Sequence, residues 1–207
     1  MSATMRSVNY PPKSRRSDYK RDEQQEMLVA PPLDLSYRKA TTMNDLMEKQ
    51  YAQTVRTRKA PTKTMKDRYV TSTLWLSNNL LNSMEGLQLL ANKVLDYPKH
   101  LSWLDLSFNE IDEIGKDIEQ FPNLKILYLH GNKISNITDV LRLKKLLNLR
   151  SLTLHGNPVE DIPCYRNYVV HLLPQLQVFN FSPVIATEKK KALPVGFAKM
   201  IRPELRI

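Results

Sequence analysis

The sequence predicts an α/β solenoid: a curved parallel sheet backed by convex helical turns, closed by a C-terminal cap and flanked by extended basic tails. Three observations lead there. A nine-residue pattern, L-x-x-L-x-L-x-x-N, recurs in register through the middle of the 207-residue chain. Segments rich in helix formers, with apolar residues at helical spacing, separate the copies. The formal charge of +10 lies outside these repeats.

The pattern is explicit at Leu101, Leu104, Leu106 and Asn109, at Leu124, Leu127, Leu129 and Asn132, and at Leu149, Leu152, Leu154 and Asn157. An earlier copy has Leu74, Leu76 and Asn79, with Thr71 in the first slot. A fifth, degenerate copy has Leu176, Phe179 and Phe181 and no asparagine. The asparagines are 30, 23 and 25 residues apart. This is the periodicity of leucine-rich repeats. Each copy supplies one short strand whose leucines alternate inward while the residues between them point outward. A single repeat cannot bury its own leucines, so neighbours must stack. The asparagines fall in the turn after each strand, where their amides can satisfy backbone groups of an adjacent coil.

Leu87–Leu95 and Val140–Leu147 read as convex helices, and the shorter link after Asn109 as a single helical turn. Beyond Pro158 a helix is expected around Tyr165–Leu173, stopping before Pro174. These features set the expected domains. Residues 71–182 form the repeat domain with its cap, between a basic N-terminal tail (1–70) and a basic C-terminal docking tail (183–207).

Charge follows the same division. Residues 1–70 hold 15 Lys/Arg against 8 Asp/Glu, residues 71–182 hold 10 against 11, and residues 183–207 hold 6 against 2. A nucleic-acid-binding domain usually carries its basic face on the folded body. Here the body is balanced, so nucleic acid is not the expected partner, and the tails suit docking to an acidic surface such as tubulin. Residues 1–28 have the composition of a segment that does not fold alone. Met43, Leu46, Met47, Tyr51 and Val55 recur at helical spacing, with Thr42 or Asn44 as N-cap, and predict a short helix over 43–55. Arg56–Arg68, with Arg58-Lys59 and Lys63, reads either as a solvated linker or as an attachment to an acidic polymer. Lys189-Lys190-Lys191, followed by Phe197, Met200 and Ile201, reads as a docking peptide.

Several function classes find no support. The five glycines are scattered, so no phosphate-cradling loop is present. Neither a metalloprotease motif nor a nucleophile elbow occurs. A lone cysteine, Cys164, cannot build a disulfide framework and points to a reducing, cytoplasmic compartment. Its proximity to His171 is read as packing in the cap rather than as a catalytic dyad. No apolar run reaches the roughly 18–20 residues that span a bilayer. No cofactor, small-molecule substrate, metal or catalytic residue is expected.

The exposed strand face is the expected binding surface. Its first outward slot holds Thr73, Trp103, Ile126, Ser151 and Val178. The second holds Trp75, Asp105, Tyr128, Thr153 and Asn180, and the third holds Ser77, Ser107, His130, His155 and Ser182. Strands about 4.8 Å apart place Trp75, Trp103, Ile126 and Tyr128 in one patch, and aromatic anchors of this kind mark interface hot spots. The patch is covered either by another protein or by the chain's own N-terminal segment. His130 and His155 share a Leu-His-Gly-Asn context. They lack a third ligand at metal-binding spacing and are read as hydrogen-bonding groups of the binding face. Phe108, in the slot that holds glycine in the next two repeats, is expected to be half-buried, and Asp105 and Glu110 to be ordinary surface acids. The protein-binding residues expected are thus Trp75, Trp103, Asp105, Ile126, Tyr128, His130, Thr153 and His155.

Tyr165-Arg166, Val169 and Leu173-Pro174-Gln175-Leu176 resemble the C-terminal cap of the short-repeat class that includes phosphatase-regulatory and spliceosomal proteins, with Asn180 where that cap has aspartate. Pro31-Pro32-Leu33-Asp34-Leu35-Ser36-Tyr37-Arg38, Leu74-Trp75-Leu76-Ser77-Asn78-Asn79, Asp105-Leu106-Ser107-Phe108-Asn109, Leu127-Tyr128-Leu129-His130-Gly131-Asn132 and Ser151-Leu152-Thr153-Leu154-His155-Gly156-Asn157-Pro158 closely resemble the leucine-rich repeat-containing protein 51 family. The resemblance covers roughly residues 31–201. It implies a non-enzymatic protein of ciliated cells and axonemes. The leading expectation is therefore a structural adaptor of the ciliary or flagellar axoneme, binding axonemal subunits through its concave face and tubulin through its tails. The alternatives are a cytosolic regulatory subunit, for example of a phosphatase, and a spliceosomal or RNA-associated adaptor.

Overall fold

The computed structural model describes Met27, residues 29–48 and residues 59–192. Each repeat contributes strand residues with the middle leucine turned inward. The strands are β1 (Leu33–Asp34), β2 (Thr73–Trp75), β3 (Trp103–Asp105), β4 (Ile126–Tyr128), β5 (Ser151–Thr153) and β6 (Val178–Phe179), paired in parallel in chain order. A last strand, β7 (Ser182–Pro183), returns antiparallel to β6. The register stacks Leu33, Leu74, Leu104, Leu127, Leu152 and Phe179 in one column, and all six are buried. Each fully buried leucine of this kind stabilises the fold by about 1.5–3 kcal/mol.

Repeat length decides what backs the sheet. The 30-residue repeat from Asn79 to Asn109 has room for an α-helix. Helix α1 (Met43–Glu48) precedes it, and α2 (Leu87–Val94) lies within it, burying Leu87, Leu90 and Ala91. The 23-residue repeat that follows has only a 3-10 helix, Lys116–Gln120, with Ile118 buried. The 25-residue repeat after that has the 3-10 helix Ile137–Lys145, burying Ile137, Val140 and Leu143. A 3-10 helix rises about 2.0 Å per residue against 1.5 Å for an α-helix. Fewer residues therefore span the same convex edge.

The asparagines form a continuous ladder. Asn109 Nδ2 donates to the carbonyls of Leu76 and Leu106, each at 3.0 Å. Asn132 Nδ2 reaches Leu106 at 3.0 Å and Leu129 at 2.9 Å. Asn157 Nδ2 reaches Leu129 and Leu154, each at 2.9 Å. Each Oδ1 accepts from the next segment of the neighbouring coil: Leu81 N to Asn109, Ile111 N to Asn132 and Ile134 N to Asn157. Every amide thus ties its own turn to the preceding one, out of water.

Within the basic N-terminal segment, expected to be mostly extended with a short helix near 43–55, the sheet begins earlier than the nine-residue pattern. Leu33-Asp34-Leu35 is half a repeat without an asparagine of its own. Asn79 supplies what is missing: its Nδ2 donates to the Leu35 carbonyl at 3.0 Å, and its Oδ1 accepts from Arg38 N and Ala40 N. Helix α1 then covers the open end with Met43 and Leu46, both buried. Thr42 is its N-cap, accepting from Asp45 N at 3.3 Å. Asp45 in return accepts from the amides of Thr42 and Thr41, which hold its carboxyl down at about 2. Tyr51 and Val55, which complete the expected helix, lie outside the described residues. The basic stretch before β2 is also anchored in part. Tyr69 N donates to the Val94 carbonyl at 2.8 Å, and Lys63 pairs with Asp67 at 2.6 Å while lying 4.8 Å over the Tyr69 ring.

At the other end α3 (Tyr165–Leu172) buries Tyr165, Tyr168, Val169, Val170 and Leu172. The C-terminal segment from 183, expected as a docking tail, begins packed against the cap. Helix α4 (Ala186–Lys190) folds back, and Arg166 on α3 clamps it. Arg166 Nε donates to Glu188 at 2.6 Å, and its terminal nitrogens donate to the carbonyls of Phe179 and Pro183 at 3.1 Å. Lys189 Nζ donates to the Pro174 carbonyl at 2.8 Å. Phe197, Met200 and Ile201 lie outside the described residues. Cys164, expected to pack in the cap, is exposed; it sits at a left-handed φ of 65° at the start of α3, where its side chain turns away from the core.

The ladder predicts the effect of cutting one rung. Asn132→Ala leaves the buried Ile111 amide without its acceptor and removes two further hydrogen bonds. It should lower the unfolding free energy by about 2–3 kcal/mol. Urea denaturation reads this directly, and an unchanged midpoint would show that the ladder contributes no stability.

Candidate functional site

Outward residues of successive strands meet diagonally across the concave face. Trp75 packs edge to face on Trp103 with centroids 5.6 Å apart. Trp103 packs likewise on Tyr128 at 5.8 Å, and Tyr128 on Phe181 at 5.3 Å. Beside this diagonal the His130 and His155 rings stack at 4.7 Å with planes 7° apart. Phe108 sets its edge against His130 at 5.0 Å. Ile126 is half-buried on the same strand as Tyr128. Offset and edge-to-face contacts of this kind each contribute about 0.5–1.5 kcal/mol beyond burial, so the rings hold one another in place and form a pre-ordered surface.

The polar groups are arranged under these rings. Thr153 is fully buried, and its hydroxyl lies 2.8 Å from His130 Nδ1. Burial, and then the neighbouring His155, lower the pKa of His130. The indole N–H of Trp103 and Nδ1 of His155 are both buried with no hydrogen-bond partner among the described residues. The histidines thus stack face to face, and His130 bonds to Thr153. Among the described residues no group of three His, Cys, Asp or Glu side chains is placed to hold a metal ion.

Asp105, expected as a surface acid, is buried. Its Oδ1 accepts from Ser107 N at 3.0 Å and from Ser107 Oγ at 2.6 Å, which turns the chain out of β3. The carboxylate also lines a groove of about 450 Å³ with Tyr37, Ser77, Asn78, Ser107, Phe108, Tyr128 and His130. Burial, and then the Asp105 charge, raise the Tyr128 hydroxyl pKa.

Phe108 is not half-buried: it is 55% exposed, as Phe181 is at 57%. Two backbone facts explain them. The slot before each ladder asparagine is left-handed, with φ of 57° at Asn78, 52° at Phe108, 68° at Gly131 and 67° at Gly156. That conformation throws the Phe108 ring outward over Gly131, where an added Cβ would sit 2.7 Å from the ring. In the fifth copy Asn180 and Phe181 both have positive φ. The strand therefore ends at Phe179 and Phe181 swings onto the concave rings instead of into the core. Asn180 leaves its expected outward slot, and its Oδ1 accepts from Leu154 N and His155 N at 2.7 and 3.2 Å.

A leucine-rich-repeat family model matches residues 43–200. Leucine-rich repeat-containing protein 51 of Macaca mulatta is 40% identical over 84% of this chain and 88% of its own length. The chain belongs to the leucine-rich repeat-containing protein 51 family. Dynein axonemal assembly factor 11 of Trypanosoma brucei brucei is 39% identical over 58% of this chain and 29% of its own. The crystal structure of the Drosophila melanogaster SNF/U2A' complex contains a chain similar in fold. Its TM-score is 0.55 at 21% identity, covering 81% of this chain and 87% of that one. The α/β leucine-rich-repeat solenoid is thus the architecture of this family member, and it is a protein-interaction fold. No helix among the described residues is long and apolar enough to cross a membrane.

Of the eight residues expected on the binding face, the structure brings together Trp75, Trp103, Ile126, Tyr128, His130 and His155 as a surface. It places Asp105 and Thr153 beneath that surface. Phe181, Phe108 and Tyr37 join it unexpectedly. The signals for them were Pro183, which cannot continue a parallel ladder, and the left-handed slot shared by Tyr37 and Phe108.

The lowered His130 pKa has a signed consequence. The unfolded chain takes up this proton near pH 6.5, before the folded one does, so stability falls as pH drops below that value toward the depressed folded pKa. The thermal midpoint should fall between about pH 7.5 and about pH 5.5, and His130→Gln should lessen the fall. An equal fall in both proteins would remove His130 as its source.

Proposed function

We propose that this family member is a non-enzymatic structural adaptor that holds another protein against its concave face in the ciliary axoneme. The observation that carries the adaptor reading is the contiguous ring surface from Trp75 to Phe181, ordered before any partner arrives. Rigid, half-exposed aromatic groups bind at low conformational-entropy cost and dominate interface energetics. The axonemal reading draws support from the trypanosome relative, whose name is that of a dynein axonemal assembly factor. Basic charge outside the repeat body suits an acidic support such as tubulin, although Lys63 and Lys189 are already engaged within the fold. The balanced charge of residues 71–182 favours a protein over RNA.

Extraction of isolated axonemes tests the placement. Retention through detergent with release by strong salt is the expected result. Full recovery in the detergent-soluble fraction would overturn it and favour the cytosolic regulatory subunit. The surface has its own test. Trp103→Ala should weaken capture of the partner at least tenfold, about 1.4 kcal/mol, and leave the circular dichroism spectrum unchanged. Unaltered capture would overturn the concave-face assignment.

A further inference from the structure

The groove around Asp105 has a composition that the adaptor reading does not explain. A buried carboxylate lies in it. Both hydrogen bonds that Asp105 accepts from Ser107 fall on Oδ1. The walls are aromatic: Tyr37 and Phe108 are 62% and 55% exposed, and Tyr128 and His130 complete the ring. Tyr37 and Phe108 also have φ of 59° and 52°. That left-handed region is uncommon for bulky side chains and favours glycine or asparagine. The equivalent slots do hold asparagine or glycine at Asn78, Gly131 and Gly156. Two exposed rings in a disfavoured backbone conformation line the same groove as one carboxylate, an arrangement suited to a cation.

Charge across the face agrees. No lysine or arginine occupies an outward slot of β1 to β6, whereas Asp34 and Asp105 stand in register on either side of Trp75. Aromatic faces attract cations, and a partly desolvated carboxylate strengthens that attraction.

We propose that this groove receives a lysine or arginine side chain from a basic segment of the partner protein, its charge against Asp105 and its stem between Phe108, Tyr37 and Tyr128. This deepens the adaptor reading and rests on it. The specificity element is thus acidic and aromatic, set off the axis of the tryptophans that supply the apolar anchor.

The test is an NMR titration of the full chain with blocked Gly-Gly-Lys-Gly-Gly, its arginine analogue and its norleucine analogue. The two cationic peptides should shift amides around Asn78, Phe108 and Tyr128. The norleucine peptide should bind at least fivefold more weakly. Asp105→Asn keeps the acceptor for Ser107 but removes the charge. Phe108→Gly installs the residue that Gly131 and Gly156 already provide in that slot, so the backbone is relieved. Each should weaken the lysine peptide at least fivefold with the unfolding midpoint retained. Equal binding of the norleucine peptide, or no groove shifts with peptide at about 10 mM, would overturn the proposal. Displacement of the chain's own basic tail from the groove by the peptide would also overturn it. Partner capture separates the two readings. Loss with Trp103→Ala but not with Asp105→Asn or Phe108→Gly overturns the cation site alone. Capture unaffected by all three overturns the concave-face reading as well.

Discussion

A side-chain amide with two donors and one acceptor, repeated at Asn79, Asn109, Asn132 and Asn157, sets the geometry on which the rest of this solenoid depends. Each Nδ2 joins the carbonyl at the end of its own strand to the one before it, as with Leu76 and Leu106 for Asn109. To point inward there, the residue before it must turn left-handed. That single backbone requirement decides which side chains stand at the rim of the concave face. Glycine at 131 meets it without a side chain and leaves room for the Phe108 ring of the preceding repeat. The interior ladder and the exterior surface are therefore one construction, and loss of a rung would disturb both.

The two ends of the stack show how closing a solenoid also shapes its surface. An open terminus exposes leucines and unpaired carbonyls. At the N-terminal end a half-repeat borrows Asn79 and brings Tyr37 to the rim. At the C-terminal end Arg166 gathers the carbonyls of Phe179 and Pro183 together with Glu188. The Arg166 hydrogen bond holds the Glu188 carboxyl below its ordinary range. Reversal of the chain between Phe179 and Ser182 delivers Phe181 to Tyr128, His130 and His155. Both caps contribute a ring to the same face, so end-closure and the make-up of the concave surface share residues.

Charge is partitioned in the same spirit. The repeat body is near neutral and the acidic side chains Asp34 and Asp105 are the charged groups of its concave strand slots, while the net positive charge lies outside residues 71–182. Long-range attraction and local recognition can then act on different parts of a partner assembly, the first weakening with salt and the second depending on fit.

The sequence by itself determined the repeat architecture, the parallel order of the strands, the inward leucines, the asparagine turns and the identity of the central rings. The register within each nine-residue pattern fixes which side of a strand each residue faces, and stacking at a constant spacing then fixes neighbours. Family membership was legible for the same reason, in motifs such as Leu-His-Gly-Asn and the Pro31-Pro32 half-repeat. What only the tertiary structure decided lies where the period fails. Leu33–Asp34 is a strand because Asn79, more than 40 residues away, satisfies its turn. Asp105 is drawn inward because the Ser107 amide and hydroxyl fold back onto its Oδ1. Phe108 and Phe181 are exposed because their backbones are left-handed, whereas the sequence pattern alone left Phe108 half-buried and put Phe181 in an inward leucine slot. A pattern of types along a chain encodes the direction of a side chain only while the backbone is regular. At turns and ends, direction is set by which distant groups need a hydrogen-bond partner.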